Sequence, residues 1–198
     1  MTNAIISFLV LLNPVGIFIF LHPLLKKMST RELMKVLALA SFFAAIVFLL
    51  FTFTGDALFR NVLQVRFDSF RIFGGMVIAF LSFQIIVLGK KSFITYSEDH
   101  SAVANEIAMP LMIGAGTISI CILMGTNYSK MTSSMAVILV MAINYVVIIT
   151  LAVLRNRVAK KVRAAFDKNM EYLLRMFAFF GGAIGTEMVV VGIKRLFF

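Results

Sequence analysis

Apolar stretches of bilayer-spanning length recur along this chain, and they decide its fold class before any motif is considered. A spanning helix needs ~20 mostly apolar residues for a ~30 Å hydrocarbon slab, and six such runs lie at roughly 4–25, 36–54, 72–89, 107–125, 135–154 and 173–193. Lipid offers no partner for free backbone N–H and C=O groups, and no barrel-type alternation is visible, so the expected backbone is helical throughout. The runs leave roughly eighty residues at most for connections, too few for a separate soluble domain. The expectation is a single all-α transmembrane domain over 1–198 with six spanning helices. Composition agrees. Hydrophobic residues make up 61% and charged residues 14%, against about 45–50% and about 25% in soluble domains.

The formal charge of +10 would suit a nucleic-acid binder, but its distribution argues for topology instead. With the first residue outside, Lys and Arg number four in 26–35, two at 90–91 and seven in 155–175 on the cytoplasmic side, thirteen in all, against six on the other side. The positive-inside bias then puts both termini outside. The segment "RNRVAKKVRAAFDKN" contributes most and reads as a topology determinant, with a site for a membrane-lipid headgroup or a partner as the alternative. "MTNAIISFLVLL" has no basic n-region, so the first run reads as a span and not as a cleaved signal. Cys121 is the one cysteine, which excludes an intrachain disulfide, and it reads as a small packing residue.

The third and sixth runs resemble one another. At an offset of 104 (175 minus 71), Arg71, Phe73, Ala79, Ser82, Val87 and Lys90 fall on Arg175, Phe177, Ala183, Thr186, Val191 and Lys194. The Gly-Gly pairs are three places out of step, and Ser29-Thr30 falls on Ser133-Ser134. Two halves, about 1–91 and 105–198, would each hold three spans. An odd number of spans turns the second half upside down in the membrane, giving a 3+3 inverted repeat of the kind many secondary transporters carry.

The first span of each half is interrupted. "LLNPVGIFIF" centres Asn13, Pro14 and Gly16, and "AMPLMIGAGT" centres Gly114, Gly116 and Thr117 after Pro110. Proline removes a donor and clashes one turn back, and glycine weakens a helix by about 1 kcal/mol relative to alanine. Either break alone reads as a kink or a packing position. A pair at corresponding places reads as a substrate site built from exposed backbone.

The motifs "LNPVG", "RIFGG", "AMPLMIGAGT" and "RMF…GTEMVVVGI" resemble, in order and spacing, those of the MarC family, which is placed in the LysE transporter superfamily. The resemblance implies six helices with outside termini in the cytoplasmic membrane of a prokaryote. It also implies a likeness to exporters and to carriers of small neutral amino acids. This chain departs from the family pattern at Ala115 and Ile19, where prolines are usual, and at Glu187, where a neutral Gln is common.

Glu187 is the single charged residue between Met176 and Ile193. An acidic residue at the bilayer centre costs about 2.5–3.5 kcal/mol on insertion scales. On a helical wheel it lies roughly 160° from the Gly181/Gly185 line. It is expected to face an internal polar space, at least partly protonated, either carrying protons or making an interhelical hydrogen bond. Asn144 would line a cavity or join two helices, and His22 reads as interfacial. No metal-ligand spacing, nucleophile–base pair or phosphate loop stands out, so neither metal, cofactor nor enzymatic chemistry is expected. The sequence reads as a secondary transporter or exporter of a small polar solute. Asn13, Pro14, Gly16, Gly114, Gly116, Thr117 and Asn144 are the candidate substrate-binding residues, Glu187 is the candidate for proton coupling, and homo-oligomers are compatible. The alternative is a non-transporting membrane scaffold or regulator.

Overall fold

The computed structural model describes residues 1–55, 57–62, 64–88, 97 and 99–197. Its secondary structure there is helical: α1 Thr2–Leu12, α2 Pro14–Phe20, α3 His22–Leu25, α4 Thr30–Thr54, α5 Phe67–Leu88, α6 His100–Ile107, α7 Ala115–Asn127, α8 Lys130–Arg157 and α9 Lys160–Phe197. Single π-helical turns at Leu58–Val62 and Ala108–Met112 lead toward α5 and α7. The expected lysine pair Lys90 and Lys91 lies outside the described residues.

Local signals explain several boundaries. Ser29 and Glu32 form a reciprocal capping box at the start of α4, satisfying two orphan backbone donors. Ser129 caps α8 by accepting from the Thr132 N–H. Gly55 ends α4 at φ 60°, a left-handed angle that glycine adopts without steric cost. Lys130 then ties the turn together, its Nζ donating to the carbonyls of Thr52, Phe53 and Gly125 at 3.0–3.2 Å.

Among the described residues, five helical segments are long and apolar enough to cross a membrane: Thr2–Leu25, Thr30–Thr54, Phe67–Val87, Lys130–Arg157 and Asp167–Phe197. The fourth expected span, 107–125, is instead divided between a π-turn, a non-helical stretch and the 13-residue α7. The uninterrupted helix there is about 20 Å long at 1.5 Å per residue, short of the hydrocarbon thickness. The last helix also begins earlier than expected, because 160–172 is rich in strong helix formers such as Lys, Ala and Arg.

The buried core lies around α4, which packs on α6, α7 and α8 and whose Val36, Leu37, Ala40, Ala44 and Phe48 are fully buried. Phe8 meets Phe48 edge-on at 5.1 Å between ring centroids. Helices α5 and α9 pair tightly through glycine. A Cβ on Gly185 would lie 2.6 Å from the Gly75 carbonyl oxygen, so only a bare backbone permits this approach. The outer face of α5 exposes Phe73, Met76, Phe80, Phe83 and Val87, a continuous apolar stripe suited to hydrocarbon.

Candidate functional site

The first spanning segment breaks at Asn13. Its φ and ψ of 48° and 68° are left-handed, a region open to asparagine more readily than to most side chains. Pro14 occupies the first position of α2 and supplies no N–H, so the Val10 carbonyl loses its helical partner. The Asn13 side chain folds over the new helix start and its Oδ1 accepts from the Gly16 N–H at 3.0 Å. Any Cβ at residue 16 would collide with that side chain, which explains the glycine.

The second break has the same logic and different residues. Met109 leaves helical geometry at φ −118° and ψ 122°, and Ile113 and Gly114 are extended. Gly114 precedes α7, and the Thr117 hydroxyl accepts from the Gly114 N–H at 3.0 Å while reaching the carbonyls of Gly114 and Met112 at 2.9 and 3.1 Å. The expected interruption over 114–117 therefore falls earlier, at 109–114, because Thr117 caps the helix from within its first turn. The two breaks adjoin: the Leu11 methyls lie 3.6–3.7 Å from where a Gly116 Cβ would stand.

A cavity of about 150 Å³ opens beside the first break, between it and the α5/α9 pair. Asn13, Gly16, Ser82, Leu111, Gly181 and Ile184 line it with further apolar side chains. Ser82 was not singled out from sequence, although its match to Thr186 in the repeat marked it as a polar position within a span. It is 5% exposed, and its Oγ faces Gly181 closely enough that a Cβ there would stand 2.8 Å away. The cavity offers one amide, one hydroxyl and backbone groups within an apolar wall. That set orients a small polar molecule and holds no fixed charge.

The other expected site residues lie elsewhere. Gly114, Gly116 and Thr117 support the second break and are not among the lining residues. Asn144 is fully buried in α8, and its amide has no hydrogen-bond partner among the described residues. Glu187 is exposed on α9 and is not among the residues lining the cavity. The expected internal, polar setting is thus corrected for the single chain. Gly185 and Gly192 turn their side of α9 into α5, and Glu187 follows Gly185 by about 200° around the helix.

A polar cluster that sequence reading missed closes one end of the bundle. Arg155, 5% exposed, donates to both Asp167 oxygens at 2.7 Å from Nη2 and at 3.0 Å from Nε, and reaches the Leu25 carbonyl at 3.3 Å. His22 Nε2 lies 3.1 Å from Asp167 Oδ1, so α3, α8 and α9 meet on one carboxylate. The available signal was Asp167 itself, the lone acid in the basic segment. Among the described residues no three His, Cys, Asp or Glu side chains converge as metal ligands would.

Comparison with known proteins bears on this arrangement. The chain matches the family described as "MarC family integral membrane protein" over residues 1–197. It is 27% identical over 201 residues to a UPF0056 membrane protein of Buchnera aphidicola subsp. Schizaphis graminum, covering 97% of this chain and 90% of the relative. It is 26% identical over 199 residues to the UPF0056 membrane protein YhcE of Escherichia coli K12, covering 97% and 91%. No solved structure matches. With a family match along nearly its whole length and spanning helices of the expected kind, the chain belongs to the MarC family of integral membrane proteins.

Proposed function

We propose that this protein is a secondary carrier of a small, neutral polar solute such as a neutral amino acid. The observation that carries the reading is the cavity beside the Asn13 break, with Asn13 and Ser82 as its polar side chains. Its volume of about 150 Å³ equals that of an engineered cavity that admits benzene, so a solute of a few heavy atoms fits. Among the described residues no charged side chain lines the cavity, which favours a neutral or zwitterionic solute over an ion.

A 3+3 inverted repeat with six membrane crossings, counting α6 to α7 as the fourth, accompanies this reading. Three pairings support it: α1 packs on α7, α4 on α8 and α5 on α9, each element on its counterpart. The helix caps Ser29 and Ser129 correspond at 100 residues (129 minus 29), and the breaks at Asn13 and Gly114 correspond at 101 (114 minus 13). In the α5/α9 seam the Gly75–Val189 and Ser82–Gly182 contacts are related by 107 residues (182 minus 75, and 189 minus 82). Both termini are outside and the membrane is the inner one, on the strength of the basic-residue bias and the bacterial relatives.

The test is uptake and efflux in proteoliposomes against a panel of amino acids, with Asn13→Ala and Ser82→Val alongside. Transport by the parent and its loss in both variants is the expected result. No flux of any solute under either a proton or a sodium gradient would leave the scaffold alternative standing. Cysteine labelling tests the topology: residue 160 and the C-terminus on the same side would remove the inverted repeat.

A further inference from the structure

A second cavity, about 630 Å³, lies at the opposite end of the bundle from Arg155 and Asp167. Arg195 on its rim is 28 residues from Asp167 along α9 (195 minus 167), about 42 Å at 1.5 Å per residue. It shares no lining residue with the cavity beside Asn13, and it owes nothing to the transport reading. Among the described residues its walls carry four guanidinium groups, on Arg60, Arg66, Arg71 and Arg195, and the carboxylate of Asp68.

Two of these arginines are fixed in place. Arg66 donates from both terminal nitrogens to the last carbonyls of α9, at 2.9 Å to Arg195 and 3.1 Å to Leu196. Arg71 stacks over the Phe67 ring, 5.4 Å from its centroid, and donates to Ser119 Oγ at 3.1 Å. Its side chain is 13% exposed, yet its Asp68 partner stands off at 3.6 Å, beyond the length of a charge-assisted hydrogen bond. Nearly enclosed positive charge that is incompletely matched is costly unless an anion shares the site. Helix α5 starts at Phe67, so the positive end of its dipole opens on the same space. The volume falls within the range of about 300–1,000 Å³ usual for small-molecule sites, leaving room for an organic group behind the anion.

We infer that this arginine-lined cavity binds an organic phosphate, its oxyanion held between Arg71 and Arg195. Guanidinium forks match phosphate oxygens two at a time, and the fixed planes of Arg66 and Arg71 reduce the ordering cost of doing so. The same chemistry is supplied by a free phosphate monoester or by the headgroup of an anionic phospholipid.

The experiment has two arms, each run on the parent, Arg71→Gln, Arg195→Gln and the exposed control Lys35→Gln. In the first, glycerol 1-phosphate is titrated calorimetrically into protein held in phosphatidylcholine nanodiscs. In the second, protein from mixed phosphatidylcholine and phosphatidylglycerol nanodiscs is delipidated and its retained lipid identified by native mass spectrometry. Saturable glycerol phosphate binding that weakens about tenfold or more in both cavity variants, survives in Lys35→Gln and declines with added salt supports a free phosphate ester. Phosphatidylglycerol retained by the parent and Lys35→Gln but lost from both cavity variants, without soluble binding, supports the lipid headgroup. Absence of binding in both arms, or equal binding by all four proteins, overturns the inference, as does an equal loss in Lys35→Gln. Thermal midpoints without probe check the fold, and if Arg71→Gln lowers its midpoint, the surface-exposed Arg195→Gln decides alone.

Discussion

Replacing Asp167 by asparagine tests whether the Arg155 cluster holds the bundle together. In the parent, three donor contacts at 2.7, 2.7 and 3.0 Å converge on one carboxylate, and the Arg155 side chain is 2% exposed. A hydrogen bond to a charged group contributes about 1.5–3 kcal/mol, and breaking a buried ion pair from one side costs about 3–5 kcal/mol. Three features pull the value toward the lower limit. The Asp167 side chain is 20% exposed, the asparagine oxygen still accepts one bond, and Arg155 keeps its contacts to the Leu25 carbonyl and Asn156. The expected loss is about 3 kcal/mol, roughly a hundredfold in the folding equilibrium. Equilibrium unfolding in mixed micelles measures it, and a double-mutant cycle with Arg155→Gln isolates the pair. The second substitution should cost little once the first is made. A loss below about 1 kcal/mol, or additive costs, would mean that the pair is solvated and that α3, α8 and α9 do not depend on it.

Gly185→Ala should destabilise by about 1–3 kcal/mol, since its Cβ would stand 2.6 Å from the Gly75 carbonyl oxygen and 2.8 Å from the Ala79 nitrogen. Gly114→Ala, whose Cβ meets nothing within 4 Å, should stay within about 0.5 kcal/mol, and equal shifts in thermal midpoint would refute the seam. Asn144→Leu should be neutral or stabilising by about 1 kcal/mol, because the buried amide has no partner among the described residues; a clear loss of stability would reveal a bound water or ligand there. Glu187→Gln should keep the fold and leave the pH profile of any transport unchanged, as the residue is exposed and is not a lining residue. A profile flattened by that substitution would return Glu187 to the mechanism.

The membrane class, the helical backbone and the break at Asn13 were legible because each is a local consequence of residue type. Hydropathy needs only a window of composition, and a proline removes one helical hydrogen bond whatever surrounds it. The break near Gly114 was visible but displaced. Glycine permits many conformations, and the choice of Thr117 as an internal cap depends on the geometry of the turn. Ser82 and the Arg155–Asp167 pair were not legible. Their partners lie far along the chain, and no spacing rule links Arg155 of α8 to His22 of α3 through a carboxylate on α9.

Glu187 marks the boundary most clearly. Sequence established that an acidic side chain sits inside a spanning helix, and that its energetic cost demands an explanation. Which way it points was decided by Gly185 and Gly192, which fit against α5 and so fix the rotation of α9 about its own axis. Hydrophobic periodicity cannot set that rotation in a membrane, because lipid and protein interior are equally apolar. Only the close contact between two backbones distinguishes one face from the other.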